Sequence, residues 1–173
     1  AFYLLAYVRQ VYFDTLQQRL VSEARLIAEV ARSDLAASGT RDLDALADHY
    51  AALLGARVTI MDEEGRVWGD SAEDPARMLS HLFRPEVQQA LSLGEGQAIR
   101  YSDTLQDELM YGAVRVEGGA TPDGAVVGFV RVAVPLSATH AKVARFRNVV
   151  LSSVAVILLV TWLIQALLAG RIV

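Results

Sequence analysis

The sequence predicts an α+β domain built on an antiparallel five-stranded sheet, with a long N-terminal helix before the sheet and a transmembrane helix after it. Three observations support this prediction. Residues 9–37 repeat apolar side chains at the spacing of one helix face. Residues 57–135 hold five segments with strand character, separated by turn residues and short helices. Residues 148–170 carry no charged side chain. Because helices and strands are grouped along the chain, the α+β class is favoured.

The chain opens on AFYLLAYV, an apolar stretch that covers residues 1–8. As a helix it would extend about 12 Å, which is too short to cross a bilayer. We therefore expect it to be the end of a first transmembrane helix. It contains no basic segment and no small-residue cleavage site, so a signal peptide is not indicated.

A long helix is predicted over residues 9–37. Its apolar positions recur at steps of three or four residues, namely Leu16, Leu20, Ala24, Ile27, Ala31 and Leu35. Such a stripe can pack on the core of its own domain, or it can pair with the same helix of a second copy in a homodimer. The sequence leaves both uses open.

A second helix is predicted after Thr40, with Asp42 and Asp44 in its first turn, where acidic side chains suit the positive end of the helix dipole. Gly55 is its expected C-cap, because glycine readily adopts the left-handed conformation that often ends a helix. The expected apolar side consists of Leu43, Leu46, Ala47, Tyr50, Leu53 and Leu54.

A β-hairpin is predicted next. Its strands are RVTIM and RVW, and its turn is DEEG, in which Gly65 can adopt a positive φ. Asp70-Ser71 and Asp74-Pro75 follow, and both pairs are typical of turns and helix caps. A short helix is therefore expected after the hairpin.

Arg84-Pro85-Glu86 predicts the start of another helix, since proline and glutamate both suit a first helical turn. Gly94 is its expected end. Three strands follow, with the sequences QAIRYS, ELMYGAVRV and GAVVGFVRVAV, and GGATPDG forms the turn between the last two. After Pro135 the pattern becomes helical and continues without a break signal into the apolar run.

The apolar run at residues 148–170 is the predicted C-terminal transmembrane helix. As a helix it would extend about 34 Å, and a bilayer core is about 30 Å thick, so it can span with modest tilt. Within it, Gln165, Ala166 and Gly170 are candidates for a helix–helix contact. An amide can form a hydrogen bond in lipid, and small residues four apart allow close approach.

The composition argues against several classes of function. The net charge is −4, which is unlike the clustered basic surface of a protein that binds nucleic acid. The absence of cysteine leaves the redox compartment undetermined. We find no Ser-His-Asp arrangement, glycine-rich phosphate loop or paired carboxylates, so no catalytic residue is predicted.

Five stretches together resemble a known family: RVTIMDEEGRVWGDS, MLSHLFRPEVQQAL, GQAIRYSDTL, MYGAVRV and GFVRVAVPLS. They are similar to the extracytoplasmic PAS-like (single Cache) domain of sensor histidine kinases of the phosphate-regulon type, and the resemblance extends over residues 9–172. The matching residues are Asp62, Gly65, Val67, Asp70, Ser71, Met78, His81, Arg84, Pro85, Glu86, Gly96, Arg100 and Ser102. Gly69 and Ser80 depart from the pattern, which commonly has alanine and asparagine at these positions.

The resemblance implies a five-stranded sheet with the long helix across its back, in a sensor domain of residues 9–147 outside the inner (plasma) membrane. It further implies a homodimer, formed through the long helix and the membrane helices in lipid, that receives an unknown extracytoplasmic ligand. Residues 171–173 would begin a HAMP linker to a histidine kinase domain, which uses ATP and Mg²⁺ and phosphorylates a cytoplasmic response regulator. No cofactor is expected within this chain.

Other classes of protein can carry the same kind of input domain, because sensor modules are reused. A chemotaxis transducer and a cyclic-dinucleotide enzyme are two alternatives to the kinase. A third alternative is a domain that binds no small ligand and serves only for dimerisation or for docking a partner protein.

Ligand contacts are predicted at His81, Arg84, Arg100, Tyr101 and Tyr111. His81 is interpreted as a capping or pocket-lining residue, because His81 and Glu86 alone are a weak signal for a metal site. An arginine on the sheet face could hold a carboxylate or phosphate through two hydrogen bonds. It could instead pair with Asp70 or Glu86 and lock the fold, which is the interpretation that we favour.

A structural role is predicted for a second set of residues, which consists of Asp62, Gly65, Asp70, Ser71, Pro85 and Glu86. For Glu86 the helix dipole is a sufficient explanation. The acidic residues around the hairpin are Asp62, Glu63, Glu64, Asp70, Glu73 and Asp74, and their spacing does not fit a calcium-binding EF-hand loop. We therefore interpret them as a solvated turn, and no metal site is predicted.

Overall fold

A computed structural model describes residues 2–37, 42–103, 105–119, 124–137 and 152–153. The chain divides into two compact units, residues 1–135 and 136–173, and the fold and site lie in the first. Most of the predicted C-terminal span lies outside the described residues, as do Gln165, Ala166 and Gly170. Among the helices that are described, none combines the length and the apolar character needed to cross a membrane.

The first helix, α1, is continuous from Phe2 to Ala36, so residues 2–8 and the predicted long helix belong to one element. The predicted apolar stripe is confirmed as a buried face, and Val21 and Ala28 extend it. Charged side chains of α1 form ion pairs at the surface, such as Arg19 with Glu23 at 2.7 Å. Of the two uses that the sequence left open for this stripe, the structure shows packing on the core of its own domain.

The second helix, α2, spans Leu43–Leu54. Asp42 lies just before it and is the N-cap, accepting hydrogen bonds from the backbone N–H groups of Asp44 and Ala45 at 3.1 Å; it is not in the first turn as predicted. Gly55 has a φ of 62° and is the C-cap, as expected. Leu53 was wrongly assigned to the apolar side, because it is exposed while Leu43 and Ala47 are buried.

The sheet has five strands, and every neighbouring pair is antiparallel. The strands are β1 (Arg57–Asp62), β2 (Val67–Asp70), β3 (Glu95–Ser102), β4 (Asp107–Glu117) and β5 (Val126–Pro135). Their order across the sheet is β2-β1-β5-β4-β3, so the last strand in the chain lies at the centre. The predicted fold class is confirmed.

Two short helices connect β2 to β3. A 3-10 helix covers Pro75–Arg77, capped by Asp74, and α3 covers Pro85–Leu93 and ends at Gly94. The first hairpin differs from the prediction, because its second strand extends to Asp70. Asp70 and Ser71, which were predicted as turn residues, therefore also take part in the pairing of β2 with β1. Asp70 is paired with Thr59, and the Ser71 hydroxyl accepts a hydrogen bond from the Val58 backbone N–H at 3.0 Å.

The two faces of the sheet carry different helices. α1 packs on one face, where Leu20 lies against Gly112 of β4. α3 packs on the opposite face, which we call the site face, where Val87 and Ala90 join Met61, Ala113 and Phe129 in a buried apolar cluster. The core therefore has two layers, one on each side of the sheet.

α1 begins toward the end of the sheet at which β5 finishes. Leu20 of α1 lies against Gly112, which is paired with Val132 near the end of β5, whereas Leu35 lies against Gly128 near its start. Among the described side chains of α1, Leu16 is the first that is buried. The chain therefore enters and leaves the sheet domain on the same side.

Candidate functional site

The candidate site begins with Glu86, in the first turn of α3. Its side chain is fully buried against the sheet. A β-carbon at Gly96 of β3 would overlap the carbonyl oxygen of Glu86, so only glycine at that position lets α3 approach β3 this closely. The prediction that Glu86 serves chiefly the helix dipole is incomplete, because its carboxylate also reaches the site face.

Two arginines share the Glu86 carboxylate. Nη2 of Arg100 and Nη1 of Arg131 each donate to Oε1 of Glu86 at 3.2 Å. Burial alone would raise the pKa of Glu86, but the attraction of Arg131 and the hydrogen bond from Arg100 outweigh it and hold that pKa below its usual value. The carboxylate is therefore ionised and works as a buried ion-pair centre.

Tyr111 supports both guanidinium groups. The guanidinium carbon of Arg100 lies 4.1 Å from the centroid of the Tyr111 ring, and that of Arg131 lies 5.1 Å from it. These are cation–π distances, and such contacts gain strength where water is excluded. Tyr111 also belongs to a buried apolar cluster with Leu109 and Ala133.

A second ion pair lies on the same face of the sheet. Nη2 of Arg57 is 2.9 Å from Oδ1 of Asp70, and both side chains are buried. The Thr59 hydroxyl donates to Oδ2 of Asp70 at 2.7 Å and accepts from Nη2 of Arg131 at 3.1 Å. One hydroxyl thus joins the two ion pairs. We call the whole set the buried ion chain, and it consists of Arg57, Asp70, Thr59, Arg131, Glu86 and Arg100.

His81 lies beside the buried ion chain. Its backbone N–H donates to the carbonyl oxygen of Gly65 at 2.8 Å, and its side chain is buried. Burial, followed by repulsion from Arg131, lowers the pKa of His81 to about 3. The imidazole is therefore neutral at physiological pH and adds no charge to the site.

The charges of the buried ion chain do not balance. It contains three arginines and two carboxylates, so with a neutral His81 its net charge is +1. Within the described part of the chain, four buried polar atoms at this site have no hydrogen-bond partner: Nε of Arg100, Nε of Arg131, Oε2 of Glu86 and Nδ1 of His81. Such atoms are costly to bury, so the site holds unused hydrogen-bonding capacity.

Not every predicted ligand contact lies at this site. His81, Arg100 and Tyr111 are brought together, but Arg84 is exposed at the N-cap of α3 and makes no side-chain capping bond. Tyr101 lies on the opposite face of β3 from Arg100, is 52% exposed and donates to Gln106 at 3.2 Å. The ligand roles of all five residues remain predictions.

The turn residues Asp62 and Gly65 support the loop that carries His81. Asp62 accepts from the Arg66 backbone at 2.9 Å and from Nε1 of Trp68 at 3.0 Å. Burial would raise the pKa of Asp62, but the hydrogen bonds from Trp68 and Arg66 lower it below its usual value. Gly65 has a φ of 74°, as predicted for this turn, and a β-carbon there would overlap the backbone of Leu82.

The departure at Ser80 has a clear structural role. Its hydroxyl donates to the carbonyl oxygen of Glu64 at 2.8 Å and so ties the loop before α3 to the first hairpin. The hairpin also borders a cleft of about 290 Å³ on the other side of the sheet, whose lining includes Asp34, Glu63 and Trp68. Among the described residues, no three histidine, aspartate or glutamate side chains are grouped as metal ligands.

Arg57, Thr59 and Arg131 were missing from the set of predicted site residues. A sequence signal for them does exist. In RVTIM, Arg57 and Thr59 alternate with Val58 and Ile60, so they must share a face. Arg131 likewise shares a face with Phe129 and Ala133 in β5. A charged residue between apolar residues on one strand face indicates a buried ion pair, although it does not identify the partner.

Residues 10–135 match the family model described as Single Cache-like. No curated protein sequence matches the chain. Among solved structures, the sensor domain of the V. cholerae histidine kinase DctB is similar with a TM-score of 0.57 at 16% identity, covering 78% of this chain and 57% of that one.

Two chemoreceptor domains are similar to the same extent. The ligand-binding domain of Campylobacter jejuni Tlp3, in complex with 4-methylisoleucine, has a TM-score of 0.56 at 15% identity and covers 77% of this chain and 56% of that one. The ligand-binding domain of Pseudomonas fluorescens CtaA, in complex with L-alanine, has a TM-score of 0.55 at 18% identity, with 78% and 60% covered.

This chain spans less than two thirds of each of these structures, and identities this low establish a common fold and nothing about ligands. The five-stranded sheet, the long helix on one face and the short helices on the other agree with the family match. From the match over residues 10–135 we conclude that the chain belongs to the single Cache-like family.

Proposed function

We propose that the chain is the signal-input region of a membrane-bound sensor histidine kinase of the phosphate-regulon type, with its sheet domain on the extracytoplasmic side. The observation that carries the proposal is a Cache-like domain whose chain enters and leaves on one side. That arrangement suits two flanking membrane helices in one bilayer, at residues 1–8 and 148–170. The sensor domain of DctB, a histidine kinase, has the same fold.

The ligand of this sensor binds at the site face in our proposal. The similar domains of CtaA and Tlp3 were solved with L-alanine and 4-methylisoleucine, so this fold can hold small polar ligands. Here, the buried ion chain supplies guanidinium donors, a carboxylate and unpaired polar atoms. A ligand transmits a signal only if it binds two packings of the domain unequally, with about 1.4 kcal/mol for each tenfold shift in population.

The sensor works as a homodimer in this proposal, and α1 provides the contact. An uncharged stripe follows its exposed side through Val11, Thr15, Gln18, Ser22, Leu26 and Val30. The hydroxyls of Thr15 and Ser22 donate to carbonyl oxygens one turn earlier in the helix, at 2.7 and 2.8 Å, so both are satisfied within α1. Steps of three and four residues without charge favour pairing with a second helix.

In our proposal the catalytic output domain is a separate part of the full-length protein. Residues 171–173 begin a HAMP linker in the cytoplasm, and a kinase domain that binds ATP and Mg²⁺ transfers phosphate to a response regulator. A chemotaxis transducer is the second candidate, because two of the similar solved domains come from chemoreceptors. The input domain would then work in the same way with a different output.

The two candidates differ in a direct assay. The full-length protein is placed in lipid nanodiscs with radioactive ATP and a panel of amino acids and short carboxylates. A sensor kinase labels itself on histidine, and at least one compound changes the rate. If no label appears and the protein instead alters the activity of an added chemotaxis kinase, the transducer is correct and the kinase proposal fails.

A further inference from the structure

Glu86 is placed where the carboxylate of a ligand would be expected. Through the single oxygen Oε1 it meets the buried guanidinium group of Arg131 and the partly buried one of Arg100, while Oε2 has no hydrogen-bond partner among the described residues. Arginine usually binds carboxylates through two parallel hydrogen bonds. Each guanidinium reaches Glu86 through a single nitrogen and Nε of both arginines is unused, so neither is bound in that manner.

The two ends of α3 are held differently. Near its C-terminal end, Gln89 accepts from the Gln97 backbone N–H at 2.7 Å, and Arg115 donates to the carbonyl oxygen of Leu91 at 3.0 Å. At its N-terminal end, Arg84 provides no side-chain cap, and Glu86 makes the ionic contacts with the sheet. The ionic contacts between α3 and the sheet are therefore confined to its first turn.

We propose that Glu86 is a built-in substitute for the ligand, and that the ligand of this domain carries a carboxylate that displaces Glu86 from Arg100 and Arg131. This inference rests on the proposed sensory function and assigns a ligand class to the same site. The binding group is known to fit, since a carboxylate already lies there. Exchange of one carboxylate for another also keeps the net charge of the buried ion chain at +1.

Displacement gives the ligand its effect on conformation. An external carboxylate and the closed first turn of α3 compete for the same donors, so binding moves α3 away from β3. If the open state of α3, which alone can bind the ligand, is populated one time in ten, the apparent affinity is about tenfold weaker than the affinity of that open state. Removing the Glu86 charge therefore strengthens carboxylate binding, whereas a purely structural glutamate would only lose stability.

The first test is hydrogen exchange of the full-length protein in nanodiscs. Sodium acetate is compared with sodium chloride and with sodium phosphate at equal ionic strength. We expect acetate alone to speed amide exchange in residues 86–89 and to leave exchange in β5 unchanged. Unchanged or slower exchange with acetate would overturn the inference, and a stronger response to phosphate would overturn the carboxylate class.

The second test uses variants, with acetate-dependent thermal stabilisation as the readout. Glu86→Gln keeps the shape of the side chain, and we expect half-saturation at about tenfold lower acetate. Glu29→Gln is the matched control, because Glu29 forms an ion pair with Arg32 on the surface of α1, away from the site. Equal acetate responses of the two variants would reject competition by Glu86.

A third variant covers the case in which Glu86→Gln does not fold. Ala in place of Gly96 crowds the carbonyl oxygen of Glu86 and weakens the closed position of α3 while the carboxylate stays. It should lower the acetate needed for half-saturation as well, and an unchanged value would count against the inference.

Failure of this inference can be distinguished from failure of the proposed sensor kinase function. If acetate opens α3 but no carboxylate changes autophosphorylation, the site is correct and the sensor kinase proposal fails. If autophosphorylation responds to a compound without a carboxylate while α3 stays closed, the proposed function is supported and this inference fails.

Discussion

The hydroxyl of Thr59 donates a 2.7 Å hydrogen bond to Oδ2 of Asp70 inside the sheet domain. The same hydroxyl accepts from Arg131, so it connects two ion pairs that would otherwise be separate. A buried pair contributes to stability only when its remaining hydrogen-bonding groups are satisfied. Thr59 satisfies Oδ2 of Asp70 and Nη2 of Arg131.

The first prediction concerns this hydroxyl. Thr59→Val keeps the shape of the side chain and removes both bonds, so we expect the free energy of unfolding to fall by about 1–3 kcal/mol. Chemical denaturation measures this change. Ser92→Ala is the control, because the Ser92 hydroxyl is exposed and bonds only within α3; it should change stability by less than about 0.5 kcal/mol. Similar losses for the two variants would contradict the role of Thr59.

The second prediction separates steric crowding from backbone strain. Gly96→Ala places a methyl group against the Glu86 carbonyl, and we expect a loss of about 1–3 kcal/mol with faster hydrogen exchange in α3. Gly55→Ala meets no neighbouring atom but holds alanine at a φ of 62°, and it should cost about 1–2 kcal/mol through strain alone. Its exchange should rise in α2. Faster exchange of α3 in both variants would show that the Gly96 contact is not specific.

The third prediction is a pH dependence. The pKa of His81 is lowered from 6.5 to about 3 by burial, so between these values the unfolded chain binds a proton that the folded chain does not. Stability is therefore full above about pH 6.5 and falls as the pH decreases, with a limiting slope of about 1.4 kcal/mol per pH unit. Denaturation at a series of pH values measures the slope.

His81→Gln should remove this part of the slope, since glutamine does not titrate. Leu53→Gln is the control, because Leu53 is exposed on α2 and carries no titratable group, so the slope should be unchanged. An undiminished slope in the His81 variant would assign the acid sensitivity to other groups.

The fourth prediction concerns the proposed dimer contact on α1. Leu26 is 68% exposed in the uncharged stripe, and Leu53 on α2 is 67% exposed outside it. Leu26→Arg should shift the full-length protein in detergent from dimer toward monomer, because a charge in the contact must be desolvated. Crosslinking and light scattering measure the shift. Leu53→Arg should stay dimeric, and an equal response of both variants would locate the dimer contact elsewhere.

Local signals in the sequence predicted most of the fold. The stripe of α1, the glycine that ends α2 and the start of α3 at Pro85 each depend on residues within a few positions of one another. Such signals report backbone conformation directly. The error at Leu53 arose because a helical pattern identifies an apolar side without showing how far the sheet extends beneath it.

The buried ion chain was only partly predictable. Pairing of an arginine with Asp70 or Glu86 was expected, but the partners depend on strand register. Arg131 and Glu86 are 45 residues apart in the chain, and Arg57 and Asp70 are 13 apart. Tyr101 shows a related limit: its strand was predicted, but which of its side chains face the site was not, and Tyr101 lies on the face opposite the site.

The central position of β5 has a consequence for how the protein is made. β1 and β2 form one hairpin and β3 and β4 another, and each hairpin is complete before β5 leaves the ribosome. Only β5 joins them, by pairing with β1 on one side and β4 on the other. Assembly of the whole sheet must therefore wait for the ten residues of β5. A nascent chain that is cut short before Val126 has two β-hairpins that are not paired with each other, and their unpaired edge strands are prone to aggregation.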